Sequence, residues 1–340
     1  MPQMRRTRQY FSARHSRVGA TGRARSNSPR PIHPRLTART AAAIVPGRMT
    51  VLVRLAYDGT DFHGFARQQP AAGGAPQRTV QGALEAALAG LYRQPVRTRG
   101  ASRTDAGVHA LGQIVGFEAP LAIPPRGVLL GLLGKLPRDL AAVAVWEAAL
   151  PDGRPIDPRF WNLGKRYRYR IRCSPRRLPQ TARGEWHLPR PLDVAAMQAA
   201  AAHFVGEHDF ASFRASACQA RTTVRRMHTV TVRGGPAGDE LAPDPACLPD
   251  DARAEVVEIE VRGEAFLQNM VRIMVGTLVE VGLGRRPAAA IAGLLARPDR
   301  RDAGATAPPE GLTLVEVLWP DPWPPASGVA AAEDAAGSDL

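Results

Sequence analysis

Lysine is almost missing from this chain. Only Lys135 and Lys165 stand beside 43 arginines. With so much alanine, glycine and proline, that imbalance reads as the codon bias of a GC-rich genome, so arginine abundance by itself assigns no function. Cysteine is scarce as well. Cys173, Cys218 and Cys247 are odd in number, form no CxxC pair and match no zinc spacing. They give no disulfide framework and fit a reduced, cytoplasmic interior. No apolar run is long enough to span a bilayer, so the composition is that of a soluble globular protein with no membrane partner. There is no phosphate-cradling glycine loop, no dinucleotide fingerprint and no short-period repeat. Neither a metal nor a cofactor is expected.

What is present is positive charge, unevenly placed. The 340 residues carry a formal charge of +14. Residues 1–48 hold eleven arginines and no acid, and the last twenty residues hold four acids and no base. With both ends set aside, the body keeps about +7, a moderate basic balance that suits a polyanionic partner, nucleic acid first.

Residues 1–48 have no hydrophobic period and are expected to be disordered. Three readings are open for them: a transit peptide, a basic arm that grips RNA, or an upstream extension of a chain that starts at Met49. The pattern favours the last, because Met49 directly precedes the first strand. Residues 50–57 alternate as a half-buried strand, and Asp58-Gly59 turns the chain. Thr79 caps a helix over 80–92 whose apolar side is Val80, Leu84, Ala87, Leu88 and Leu91.

Strands are expected at 95–101, 112–118 and 141–147, with a helical or irregular piece before the last of them. The second half repeats the theme. A strand at 165–172 is followed by a helix at 193–205, a hairpin of 224–233 with 254–262, helices at 266–282 and 287–296, and a strand at 312–319. Residues 234–253 read as a solvated insertion, and the tail from Pro322 as disordered. The expected class is α+β: two ferredoxin-like α/β halves, 49–156 and 157–321, joined into a mostly antiparallel sheet.

The stretch richest in chemistry is the loop 100–110. Its acid, Asp105, is flanked by Arg103, Thr104 and His109. Asp followed by Ala-Gly is also a common turn, and on local grounds the two readings compete. The string Arg103-Thr104-Asp105-Ala106-Gly107-Val108-His109, however, resembles the signature loop of the tRNA pseudouridine synthase A (TruA) family. The resemblance continues in order. Tyr57-Asp58-Gly59 with Gly64 and Gln68 is similar to that family's first-strand motif, and Thr79-Val80-Gln81 with Leu84-Glu85 to its first helix. Lys165-Arg166-Tyr167-Arg168-Tyr169 resembles its tyrosine strand. Asp209-Phe210 with Ser212-Phe213-Arg214, and Phe266-Leu267 with Met270-Val271-Arg272 and Val275-Gly276, complete the set. Departures occur at Phe65-Ala66-Arg67, at Gly131-Leu132-Leu133-Gly134-Lys135, at Pro158 and in the insertion; none touches the Asp loop.

The resemblance implies an isomerase without cofactor, acting on uridines 38–40 of the tRNA anticodon stem-loop as a cytoplasmic homodimer with a basic RNA-binding cleft. Pseudouridine formation breaks the N1–C1′ bond, turns the base and rejoins it through C5. In this family an Asp serves, which places Asp105 as the nucleophile; attack on C1′, addition to the ring and removal of a sugar proton all need it ionised yet shielded from water. Burial would neutralise it and a nearby cation opposes that; the resemblance supplies Arg272 as its ion-pair partner. Arg103 is implied to aid base flipping, Tyr167 to form the platform for the flipped uracil, and Leu267 to pack beside it. His109 has no implied proton role and reads as a loop-fixing hydrogen bonder or an RNA contact. Two other classes compete. One is a noncatalytic RNA-binding module on a ferredoxin-like fold. The other is a glycosidase, which would need a second, opposed carboxylate, and none stands out.

Overall fold

The computed structural model describes residues 49–68, 75–150, 154–238 and 254–320. The basic extension 1–48, most of the insertion, Cys247 and the tail from Pro322 lie outside the described residues. Within them the chain runs β1 (Thr50–Tyr57), α1 (Val80–Tyr92), β2 (Arg99–Gly100), β3 (His109–Glu118), α2 (Pro125–Leu133), β4 (Leu140–Ala148), α3 (Pro158–Trp161) and β5 (Gly164–Cys173). It continues through β6 (Trp186–Leu188), α4 (Val194–Ala202), β7 (Gly206–Asp209), β8 (Val224–Pro236), β9 (Glu255–Gly263), α5 (Met270–Gly282), α6 (Ala290–Ala296) and β10 (Leu312–Leu318).

All ten strands belong to one mixed sheet of order β4-β1-β3-β10-β5-β9-β8-β7, with β2 on β3 and β6 on β5. The pairings are antiparallel except β5 with β6 and β3 with β10. The seam between β3 and β10 is short: only Thr313 opposite His109 and Leu314 opposite Ala110. Beyond it β2 takes the place beside β3, through Arg99 opposite Gly116 and Gly100 opposite Val115. Between these two pairings the Ala101 N–H donates to the Ile114 carbonyl at 2.8 Å, and Gly112 lies against the Val315 backbone.

Local chemistry explains the elements. Thr79 caps α1 by accepting from the Gly82 N–H at 3.2 Å, and Val80, Leu84, Ala87 and Leu88 are buried at helical spacing. Each such aliphatic side chain contributes roughly 1.5–3 kcal/mol by leaving water. α5 is apolar nearly all round and is buried from Met270 to Gly282 except at Arg272 and Glu280, the mark of a helix in the interior rather than on it. On β5, whose ladder with β9 is regular from Lys165 to Cys173, side chains alternate between faces. Arg166, Arg168, Arg170 and Arg172 share one face and pair with Glu260, Glu316, Glu258 and Glu185. Tyr167 and Tyr169 point to the other face and are buried.

Several boundaries differ from expectation, each for a visible reason. The strand expected over 95–101 shrinks to Arg99–Gly100. Pro95 has no N–H to give, and α1 side chains take the backbone of Thr98: its N–H donates to Glu85 Oε1 at 2.9 Å and its carbonyl accepts from Gln81 Nε2 at 3.0 Å. β8 runs on to Pro236, because Gly234, Gly235 and Pro236 still pair with β9; the loop starts there, later than its Gly-Gly-Pro composition suggests. The helix expected from 193 to 205 ends at Ala202, and Gly206–Asp209 forms the edge strand β7. α5 begins at Met270 rather than 266, because Asn269 takes a left-handed conformation with φ 60°. That break frees Phe266–Asn269 to form part of the site.

Gly276 on α5 tests this packing. A Cβ there would lie 1.8 Å from the Ala305 carbonyl oxygen, so the helix and the 303–310 segment touch backbone to backbone. Gly276→Ala is expected to lower the denaturation midpoint by the equivalent of about 1–3 kcal/mol, an overpacking cost. An unchanged urea midpoint would show that the segment is not held by this contact.

Candidate active site

The loop 101–108 leaves β2 and re-enters the sheet as β3, and the protein fixes almost every turn of it. Where the chain departs from β2, buried Gln113 replaces the missing ladder. Its Oε1 accepts from the Ser102 N–H at 3.2 Å and its Nε2 donates to the Ser102 carbonyl at 2.7 Å. The Thr104 carbonyl accepts from the Phe65 N–H at 3.0 Å, and the Thr104 hydroxyl meets the buried Tyr57 phenol at 2.8 Å. Asp105 is followed by a tight turn in which Val108 N–H donates to the Asp105 carbonyl, with Gly107 at φ 77°. The close approach also requires Gly64, where a Cβ would meet the Thr104 oxygen at 2.9 Å and φ is +93°.

His109 fastens the end of the loop. The Gly59 N–H donates to Nδ1 at 3.0 Å, so the ring proton sits on Nε2, which donates to the Glu310 carbonyl at 3.1 Å. The buried His109 ring thus links three separate segments, and its Nδ1 also lies 3.3 Å from Asp58 Oδ1.

The opposite wall comes from the C-terminal half. The segment 303–310 runs from α5 to the Asp loop. Gly304 N–H donates to Thr277 Oγ1, Ala307 N–H donates to the Arg272 carbonyl, and Tyr169 Oη donates to the Pro308 carbonyl at 2.7 Å. Pro309 then lies against Gly107, where a Cβ would meet its ring at 2.8 Å. Tyr167 closes the floor. Its phenol is 3.0 Å from the Ser102 hydroxyl, and its ring meets Phe266 edge to face at 5.0 Å.

Asp105, Arg272 and Tyr167 are close enough to act on one another. Burial raises the Asp105 carboxyl above its ordinary value, while the Arg272 guanidinium and the backbone N–H of Asn269 pull it down. Burial also pushes the Tyr167 phenol up to about 12, against the pull of the Ser102 hydrogen bond and with a further push from Asp105. Arg272 is half-buried; its Nε donates to the Ala307 carbonyl at 2.7 Å and its Nη1 to Asn269 Oδ1 at 3.0 Å. Among the described residues it forms no ion pair with Asp105 within 4.0 Å, so it acts here through its field rather than by contact. Leu267 is buried in the turn that also carries Asn269. Arg103 is exposed and, among the described residues, has no hydrogen-bond or ion-pair partner.

The five residues singled out in the sequence thus fall into an inner group (buried Tyr167 and Leu267 with half-buried Asp105 and Arg272) and one outward-facing cation. Of the residues that brace them, Tyr57 stood in the first-strand motif and Ser102 next to the signature string; Gln113, Asn269 and the carbonyls of 307–310 carried no signal. Among the described residues no cluster of His, Cys, Asp and Glu could hold a metal ion.

An acid that must ionise beside a cation, next to a buried aromatic floor and an exposed arginine, is equipped to act on a sugar or base drawn in from solution. The sequence profile of the tRNA pseudouridine synthase family matches residues 55–150 and 200–320. The chain is 42% identical over 281 residues to tRNA pseudouridine synthase A of Myxococcus xanthus, spanning 83% of this chain and 96% of that protein. It is 44% identical to the same enzyme of Geotalea uraniireducens over 263 residues, 77% of this chain and 96% of that one. The enzyme of Geobacter sulfurreducens is 42% identical over 268 residues, 79% and 98% of the two chains.

The electrostatics predict a pH effect. With Asp105 proposed to act as an ionised carboxylate, activity is expected to rise with pH through its raised pKa, which forms the acid limb of kcat/KM. Arg272→Gln removes the larger of the two opposing pulls, and its acid limb is expected to lie at higher pH than that of the native chain. Coincident limbs in matched pH–rate profiles would refute the assignment. The same shift carries a stability sign. Because the folded pKa exceeds the unfolded one, ionising Asp105 lowers stability as pH rises between the two values. Asp105→Asn is therefore expected to leave the melting temperature at neutral pH unchanged or higher.

Proposed function

The chain belongs to the tRNA pseudouridine synthase family, and from that premise we propose that it converts uridine to pseudouridine in folded tRNA, at uridines 38–40 of the anticodon stem-loop, with Asp105 as the nucleophile. The observation that carries this reading is the convergence of Asp105, Arg272 and Tyr167 from β2–β3, α5 and β5 on one half-buried carboxylate. The reaction is an isomerisation. The N1–C1′ bond breaks, the uracil turns, C5 bonds to C1′, C5 gives up its proton and N1 gains one, so nothing is consumed and no cofactor is needed.

Each residue then has a task. Arg272 keeps Asp105 ionised and closes to an ion pair when RNA excludes the remaining water. Tyr167 and Leu267 form the surface on which the flipped uracil rests. Arg103, exposed and unpaired, holds RNA phosphate or the vacated stack. We read each half as ferredoxin-like. The strand–helix–strand–strand–helix–strand order β1, α1, β2, β3, α2, β4 with spatial order β4-β1-β3-β2 supports this. So does β5, α4, β8, β9, α5, β10 with order β10-β5-β9-β8. The proposed basic RNA-binding cleft opens onto Asp105, its positive charge supplied by the basic body of the chain. A homodimer and a cytoplasmic site of action complete the proposal. They are supported by the family resemblance and by the two described cysteines, Cys173 and Cys218, which are free.

Tritium release from tRNA labelled at C5 of uridine tests the chemistry, since C5 loses its hydrogen only when it bonds to C1′. The native chain is expected to release tritium, and Asp105→Asn to fall by about 10⁴-fold or more while still binding tRNA. A native chain that binds tRNA and releases none would replace the enzyme with the noncatalytic RNA-binding module.

A further inference from the structure

β5 carries five cations. Four of them, Arg166, Arg168, Arg170 and Arg172, lie on one face and are matched by Glu316, Glu260, Glu258 and Glu185. The fifth, Lys165, is two residues from Tyr167 in an unbroken ladder, and so shares the face of Tyr167 and Tyr169. Its partners across the ladder are Gly263 and Val317, and neither carries a charge. The side of Gly263 toward Lys165 is covered by Met227, whose Sδ would meet a Cβ there at 2.7 Å. Glu260 and Glu316 are on the opposite face with Arg166, Arg262 is on that face too, and Glu264 is taken by Arg226 at 3.7 Å. The nearby Tyr167 phenol is neutral. Among the described residues Lys165 therefore has no hydrogen-bond or ion-pair partner, although it is half-buried.

We propose that Lys165 is an anion-binding residue of the active-site face that closes on a phosphodiester of the bound RNA. The inference rests on the reading of the chain as an RNA-modifying enzyme. A desolvated ammonium without a counter-charge is costly, and a phosphate arriving with the substrate would complete it. Consistent with the geometry, burial alone pushes this ammonium down to about 8. Lysine also suits the task where arginine would not. It can shed its proton while the site is empty and regain it when the anion arrives, whereas a guanidinium stays charged throughout. In a chain with two lysines and 43 arginines, a lysine at this point is a chemical distinction.

The test measures binding of unmodified tRNA by the native chain, Lys165→Met and Lys165→Arg, alongside tritium release by each. Lys165→Met is expected to bind about tenfold more weakly, as for loss of one charged hydrogen bond. Its plot of log affinity against log salt should be shallower by about one. At pH 8.5 the native chain should take up protons on binding, seen as a dependence of calorimetric heat on buffer ionisation enthalpy, and Lys165→Met should take up fewer. Lys165→Arg should recover part of the affinity and the salt slope without the proton uptake. Thermal melts guard against misfolding. The folded pKa lies below the unfolded one, so the native chain gains stability as pH rises from about 8 toward the ordinary lysine range, and Lys165→Met should lack that gain. Equal affinity, salt slope and proton uptake for the native chain and a folded Lys165→Met would overturn the anion site. Absence of tritium release by the native chain would instead unseat the enzyme reading, so the two failures are distinct.

Discussion

A carboxylate held partly out of water, and proposed to act ionised, is the constraint on which the rest of this structure depends. Desolvation drives the Asp105 carboxyl toward its neutral form, so the protein must bring a compensating charge close without surrendering Asp105 to a fixed contact. Arg272 answers that need at a distance. Its guanidinium is committed to the Ala307 carbonyl and to Asn269, which holds its position, while its field still reaches Asp105. A tight pre-formed ion pair would tie up the oxygens that the chemistry uses. A guanidinium fixed by other partners offers stabilisation and leaves the carboxylate free.

That solution couples the two halves of the sheet. Asp105 belongs to the loop before β3 and Arg272 to α5, and β3 meets β10 through only two residue pairs. So short a ladder could not hold the distance between the two groups. The segment 303–310 does so instead, by bonding to α5 at Arg272 and Thr277, to β5 through Tyr169 and to the Asp loop through His109 and Pro309. His109 is central here because one ring accepts from Gly59 on one side and meets the Glu310 carbonyl on the other.

Much of this was legible in the sequence, and what was not has physical causes. α1 was readable to the residue because its cap, Thr79, and its apolar spacing are local properties. The signature around Asp105 was readable because a run of specific residues marks a loop whose form its own glycine enforces. The strand at 95–101 was overread because hydrophobic alternation says nothing about who takes the backbone groups, and Glu85 and Gln81 take those of Thr98. α5 was started too early because Phe266 and Leu267 continue its apolar pattern; only the left-handed Asn269 shows that they form a turn over the site instead. Gln113 gave no pattern at all, since a buried glutamine standing in for a strand's hydrogen bonds depends on where β2 stops.

The same logic explains why the functional residues separate into those that sequence alone ranks and those it cannot. The proposed roles of Asp105, Tyr167 and Arg272 depend on chemical type, so motif resemblance finds them. Supports such as the carbonyl of Ala307 and the ring of Pro309 act through position, and no residue pattern records them; Gly276, whose lack of a side chain is what the packing needs, falls within the motif. β5 joins the two kinds. Its arginines are neutralised on one face by glutamates that the ladder brings alongside, and those glutamates stand apart from Tyr167 and Lys165 on the opposite face. A strand that pairs its cations away from the site leaves the charge balance there to Asp105 and Glu310, to Arg272 and Lys165, and to whatever anion the substrate brings.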